Sequence, residues 1–517
     1  MAPDCWLKIA TGDKKMMATA IKPIRKIVIV GGGSAGWIAA AMLASHLRPQ
    51  VCRVELVESE SLGTIGIGES TIPPFVGLLQ SLGVDERDFI RATGASFKLG
   101  IQFIDWREKP SRYFHPFGVI GKRIGTHDFY QCWLKAQMHG GAAALQDYAP
   151  SSVMAENGRF YFPGQAQNTP IGGANYALHV DAKALAQYFR NYCEARGVTR
   201  TEGVVVGTQQ ADNGHIQHLA LADGRVVEGD FFIDCTGFNG LLIGKALGVG
   251  LVDWSHYLPC DRAVAVKTQR EGPTTPYTRS TAREAGWNWR IPLREHTGHG
   301  YVYSSQFCSD EKARRNLFKY CDGTLVNEAR VIPFSTGHRK EIWKHNCIAL
   351  GLAAGFVEPL ESTALHLIAR GIDFFLRFFP DRDCDPSLVR EYNRRMIGDY
   401  EEVRDFIMLH YCTTKRDDTP FWRWCQQMPL PDSLQERLEL FNSHGLMRDG
   451  VDELFRSSSW QSVFEGMGVR PQKYCPRVDN LDFNQVNQLL DNARQAIGRM
   501  VKTLPTHDEI LHSLVTR

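Results

Sequence analysis

Apolar and polar positions follow two different periods along this chain, and the switch between them divides it. Residues 27–30 are a short β-branched run closed by Gly31, Gly32 and Gly33. That run is too short for a helix and predicts a buried strand. The small-residue stretch to about residue 46 predicts a helix, and residues 51–57 predict a second strand. Asp181 is a candidate N-cap for a helix over residues 182–196, since a short acidic side chain can accept from the first free N–H groups. Between residues 203 and 237, short apolar runs are punctuated by Asn213-Gly214 and Asp223-Gly224. Both dipeptides favour the positive φ angles of tight hairpins, so this stretch predicts a β-meander. It ends in a buried-strand run, Phe231 to Asp234, before Cys235-Thr236-Gly237. Beyond residue 380 the period becomes helical. Leu388, Tyr392, Met396, Tyr400, Val403 and Ile407 fall on one face, as do Val486, Leu490, Ala493, Ile497 and Val501. The expected division is a leader or extension over 1–24, an α/β body over 25–380 and a helical module over 381–517.

Composition narrows the classes. Of 517 residues, 43% are hydrophobic and 22% charged, enough to bury a sizeable core. Lys and Arg number 59 against 57 Asp and Glu, a formal charge of +2 that disfavours a nucleic-acid partner. The 13 Cys are odd in number and form no CxxC pair, which fits a reduced compartment. The first 26 residues lack the apolar run of a secretory signal. Met16 and Met17 are candidate starts. Residues 27–45 are uncharged, but the glycines near their start favour strand–turn–helix over a membrane span. A cytoplasmic protein without membrane contact is expected, and no metal cluster stands out.

The chemistry begins at Gly31-x-Gly33-x-x-Gly36, which includes Ser34 and Ala35. Placed between a strand and a helix, such glycines let the backbone approach a pyrophosphate, and the helix N-terminus supplies unpaired N–H groups. Glu58, at the end of the second strand, stands where an acid binds a ribose hydroxyl. The meander, the strand ending near Asp234 and the late strand-to-helix turn at Gly351 favour FAD in a two-dinucleotide-binding, Rossmann-like fold of the flavin monooxygenase kind. No second glycine fingerprint for a nicotinamide cofactor is present.

Four further stretches carry a resemblance: Gly66-Ile67-Gly68-Glu69-Ser70-Thr71-Ile72-Pro73; Ser96-Phe97-Lys98; Gly286-Trp287-Asn288-Trp289-Arg290-Ile291-Pro292; and Phe356-Val357-Glu358-Pro359-Leu360-Glu361-Ser362-Thr363. With the glycine motif they resemble the flavin-dependent halogenases of the tryptophan-halogenase type, over roughly residues 25 to 425. The resemblance implies FAD used as FADH2, O2, and chloride or bromide. It implies a separate NAD(P)H-dependent flavin reductase, a small aromatic substrate and a homodimer. Hypohalous acid made beside the flavin would travel through an internal passage to Lys98, with Glu361 as the second catalytic residue. Gly68, Glu69, Ser70, Gly351 and Leu360 would face the flavin, and Thr363 and Ala364 the halide. Trp287 and Trp289 would wall the flavin from the substrate, and His115 and Phe117 would line the substrate ring.

Lys98 suits that role because an ammonium offers several donors and its pKa falls readily on burial. A carboxylate at Glu361 can take the proton lost from a halogenated ring. Two departures matter. Ala364 stands where tryptophan-acting members carry Gly, adding a β-carbon beside the halide, which leaves the preference between chloride and the larger, more easily oxidised bromide open, with bromide the candidate. The helical module lacks the Tyr-rich clamp for an amino acid's charges: after residue 440 it offers only Trp460 and Tyr474. An indole-type ring, or a larger or carrier-bound substrate in an open cleft, is therefore expected rather than free tryptophan. A flavin-dependent aromatic hydroxylase and a non-catalytic flavin-binding redox protein stay open as alternatives.

Overall fold

A computed structural model of the chain describes residues 21–63, 69–448, 450 and 452–515, with Glu69 placed by its backbone only. Most of the expected leader, and Gly66, Ile67 and Gly68, lie outside the described residues.

A six-stranded sheet forms the nucleotide half. Its order is Trp343–Lys344, Cys347–Ala349, Phe231–Asp234, Lys26–Val30, Arg53–Glu58 and Thr199–Glu202. All neighbours run parallel except the outermost Trp343–Lys344 pair. Parallel strands need crossovers, and helix Ser34–His46 supplies the first. The strand Lys26–Val30 is buried over four of its five residues because helices cover both faces of such a sheet. The meander forms as expected, from Val205–Gln210, Ile216–Leu221 and Val226–Glu228.

A seven-stranded sheet forms the second half, in the order Arg330–Pro333, Arg262–Gln269, His296–Tyr303, Gly286–Pro292, Thr278–Arg283, Gly100–Ile104 and Arg112–Pro116. A small sheet joins the halves, with Ala177–Val180 between Glu69–Ser70 and Ser96–Lys98. The chain passes from Lys98 in the small sheet to Gly100 in the large one. A β-carbon at Gly100 would lie 2.3 Å from the His115 carbonyl oxygen, so only glycine lets the two strands close there.

After residue 380 the chain is helical, with Pro386–Cys412 and Phe483–Thr503 as its longest helices. These helices have no core of their own. One hydrophobic cluster runs from Ile24 through Phe406 and Trp460 to Leu514. Phe421 and Trp422 are fully buried within it. The helical part is thus packed as a wall of the body. Among the described residues no helix is long and apolar enough to cross a membrane, and no cysteine is paired.

Candidate active site

The nucleotide cradle is built by backbone. Gly31 has φ +112°, and a β-carbon there would sit 2.3 Å from the Cys235 carbonyl oxygen of the neighbouring strand end. At Gly36 a β-carbon would lie 1.9 Å from the Gly31 carbonyl oxygen. Gly33 is the N-cap of helix Ser34–His46, makes no side-chain cap, and faces open space where its β-carbon would be. The first N–H groups of that helix therefore remain available to a phosphate. Glu58 closes the other side: its Oε2 lies 1.4 Å from the position of a β-carbon on Gly32, and its Oε1 accepts from Arg200 Nε at 2.6 Å. Asp234, fully buried, accepts from the backbone N–H groups of Thr236, Leu242 and Ile243 and from the Thr236 hydroxyl, which locks the adjoining turn. Gly351, at φ +58°, approaches helix Ser34–His46 closely: a β-carbon on it would lie 3.0 Å from the Ala35 β-carbon. The residues present fit a dinucleotide such as FAD.

The second cluster is built by side chains. Lys98 is fully buried. Its Nζ donates to the Thr71 carbonyl at 3.0 Å and to Ser362 Oγ at 3.0 Å, and lies 5.0 Å from the Phe117 ring centroid. Burial drives its pKa down to about 7, against the opposing pull of Glu361. Ser362 has φ +63° in the turn between the short helix Pro359–Glu361 and helix Ala364–Arg377. That turn brings the Ser362 hydroxyl to Lys98 beside the buried Glu361 carboxylate. Thr363 is the N-cap of the second helix and makes no side-chain cap; Ala364 is its first residue and Leu360 is buried just before it.

Glu361 makes no ion pair with Lys98. Its Oε2 takes a hydrogen bond from His115 Nδ1 at 2.9 Å and its Oε1 one from His410 Nε2 at 2.8 Å. Burial holds the His410 imidazole well below the usual histidine range, so it is a neutral donor here. Three buried polar atoms nearby have no partner: His115 Nε2, His410 Nδ1 and Tyr113 Oη. Phe406 stacks on Phe455 at 3.8 Å and meets His115 edge-on at 5.4 Å and Trp460 at 4.9 Å. The result is an aromatic box around these polar groups.

Trp287 and Trp289 project from one face of strand Gly286–Pro292, ring centroids 6.1 Å apart, the first buried and the second partly exposed. Gly300 lies opposite Trp289; a β-carbon there would fall 2.0 Å from the indole. Trp287 Nε1 donates to Glu358 Oε2 at 3.1 Å, and Tyr411 Oη donates to the same oxygen at 2.7 Å. Glu358 is fully buried and its carboxyl is pushed up to about 7 by desolvation.

Sequence reasoning singled out Lys98, Glu361, His115, Phe117 and both tryptophans; the first four cluster, while Trp287 reaches Glu358 and Trp289 packs on Trp287. It did not assign Glu358, Tyr113, Phe406, His410, Tyr411 or Phe455 to the site. The Glu358 carboxyl stood in a quoted motif, but its partner Tyr411 lies 53 positions later, where no local pattern signals it. Trp460 gives its Nε1 to the Phe455 carbonyl, and Tyr474 its hydroxyl to Asp479, so neither polar group is free for a ligand. Ser70 Oγ bonds Thr278 Oγ1 at 2.9 Å.

A glycine cradle on a parallel sheet, with a buried lysine and a histidine-held carboxylate in a second cluster, defines the class: a flavoprotein of the two-dinucleotide-binding kind. The chain belongs to the tryptophan halogenase family, whose profile matches residues 26–482. A tryptophan 6-halogenase from Streptomyces toxytricini is 34% identical over 528 residues, covering 95% of this chain and 98% of the relative. Two solved structures superpose with a TM-score of 0.91, each covering 95% of this chain and 99% of the other. They are the flavin-dependent halogenases BrvH from Brevundimonas sp. BAL3, 40% identical, and Xcc4156 from Xanthomonas campestris, 42% identical. The protein is therefore an enzyme, a flavin-dependent halogenase of an aromatic substrate, using reduced FAD, O2 and halide. Members of the family generally draw reduced flavin from a separate reductase.

Proposed function

We propose that this enzyme halogenates a neutral, electron-rich ring of the indole type, with Lys98 presenting the halogen and Glu361 receiving the ring proton. FADH2, when bound, supplies hypohalous acid from O2 and halide. Gly31, Gly33, Ser34, Ala35 and Gly36 hold the pyrophosphate, Glu58 the ribose, and Gly68, Glu69, Ser70, Gly351 and Leu360 the flavin side. Thr363 and Ala364 offer backbone N–H groups to the halide, and bromide, the more easily oxidised halide, is the expected preference. Trp287 and Trp289 separate the two chambers.

The observation that carries the reading is the state of Lys98: buried, near neutrality, and anchored by two oxygens with no carboxylate in contact. An amine in that state takes halogen from hypohalous acid with release of water, or holds the acid by hydrogen bond. The ring attacks the halogen, and the departing ring proton passes to the Glu361 carboxylate between its two histidine partners. The sum is ArH + HOX → ArX + H2O. The walls of Phe117, Phe406 and Phe455 suit a flat ring. The unpartnered His115, His410 and Tyr113 atoms suit an indole N–H better than an amino acid's two charges. Three relatives named for tryptophan halogenation are 30–35% identical.

The test supplies the enzyme with FAD, a flavin reductase, NADH and O2, with indole or tryptophan, and bromide or chloride. Halogenated indole is expected, more with bromide, with loss of about 1000-fold in Lys98→Ala at unchanged flavin binding. An oxygenated product made without halide would overturn the assignment. Faster turnover of tryptophan than of indole would overturn the substrate class.

A further inference from the structure

The strand that carries Lys98 is three residues long and lies at the edge of its sheet. Its inner side pairs with Ala177–Val180, Phe97 standing opposite Leu178. Its outer side meets no strand. There the Phe97 backbone N–H, adjacent to Lys98, donates to His507 Nε2 at 3.1 Å, across 410 residues of chain. An open edge of this kind would otherwise leave a buried donor without a partner.

His507 is held for that task from several sides. Its Nδ1–H donates to the Thr274 carbonyl at 2.7 Å, which fixes the tautomer and leaves Nε2 as acceptor. It is the first residue of helix His507–Val515. Thr506 and Glu509 form a reciprocal capping box at that start: the Thr506 N–H donates to Glu509 Oε2 at 2.6 Å and the Glu509 N–H to Thr506 Oγ1 at 3.2 Å. The preceding segment is stitched to the body, with Arg159 Nη1 on the Leu504 carbonyl at 2.7 Å and the His507 N–H on the Gly158 carbonyl at 2.9 Å. On the other side the Phe97 ring stacks on Phe160 at 3.9 Å. Main chain and side chain of Phe97 are thus both clamped, one position before the lysine.

We propose that His507 is a positioning residue for Lys98: its imidazole completes the edge of the lysine strand and holds the ammonium within reach of Ser362 and the chamber. The proposal rests on the reading that Lys98 presents the halogen. A displacement of about 1 Å at such a group is enough to cost about 100-fold in a positioned reaction.

The test compares His507→Leu, which keeps bulk and loses the acceptor, with His507→Gln, which restores one. Two rates are read in the holoenzyme with reductase, bromide and indole: brominated indole, and free hypobromous acid trapped by an external halogen acceptor. In His507→Leu the brominated product is expected to fall at least 10-fold while trapped oxidant rises and flavin binding holds. His507→Gln is expected to recover at least half of the wild-type partition. An unchanged product-to-trap ratio in His507→Leu, or a parallel fall of both rates in both variants, would overturn the proposal. Lys98→Ala separates the two claims. If it leaves the ratio unchanged, the Lys98 reading fails; if it collapses the ratio and His507→Leu does not, only the role of His507 fails.

Discussion

The nucleotide cradle and the lysine chamber are built in opposite ways. The cradle is mostly backbone, closed by the Glu58 carboxylate, and its parts stand within residues 31–58 apart from Arg200 and the Cys235 and Gly351 turns. The chamber consists mainly of side chains, from residues 98, 113–117, 361–362, 406–410 and 455 with the Thr71 carbonyl, which only the finished fold brings together. A backbone site tolerates little steric addition. A side-chain site tolerates substitution in degree, each partner contributing its own share.

The first way to break that comparison is Gly36→Ala. The added carbon would meet a carbonyl oxygen at 1.9 Å, where backbone and not a flexible tip must move. Flavin affinity, followed by fluorescence titration, is expected to fall about 100-fold, at a stability cost of about 1–3 kcal/mol. Wild-type affinity in this variant would show the cradle to be less rigid than its geometry.

A smaller effect is expected from His410→Ala, which removes one of the two donors to Glu361 and leaves His115 in place. Turnover of indole should fall about 10-fold with little change in flavin affinity, because one charge-assisted hydrogen bond contributes about 1.5–3 kcal/mol. A loss as large as that of Glu361→Gln would mean that the carboxylate and the imidazole act as one unit.

The smallest effect is a pH profile. Lys98 is held to about 7 by burial, so its neutral fraction grows as pH rises past that value. The fraction of oxidant delivered to the ring is expected to rise several-fold between pH 6 and 8, and Lys98→Arg should show no such rise at a lower level. Stability follows the same sign. The unfolded lysine keeps its proton to about 10.5, so unfolding takes up a proton between about 7 and 10.5, and this group makes the fold more stable with rising pH in that window.

The same contrast explains what sequence reading reached. The cradle was legible because Gly31, Gly33 and Gly36 act through their own backbone at fixed spacing, and the strand–helix–strand frame and the meander announce themselves by local period. Lys98, Glu361 and the two tryptophans were found through the family resemblance; composition alone would have left Lys98 a surface residue. His410 was hidden on a helix whose apolar face dominates the pattern. The helical stretch after residue 380 was recognised as helical, yet nothing in its period showed that Phe406, His410 and Tyr411 turn into the body and not toward a core of their own.

The 410-residue span between Phe97 and His507 also has a consequence for biosynthesis. At about 5–20 residues per second, the ribosome makes the imidazole roughly 20–80 s after the strand whose edge it closes. The growing chain carries that edge unsealed through nearly the whole of its synthesis. The edge beside Lys98 is completed only after helix His507–Val515 has been made and docked.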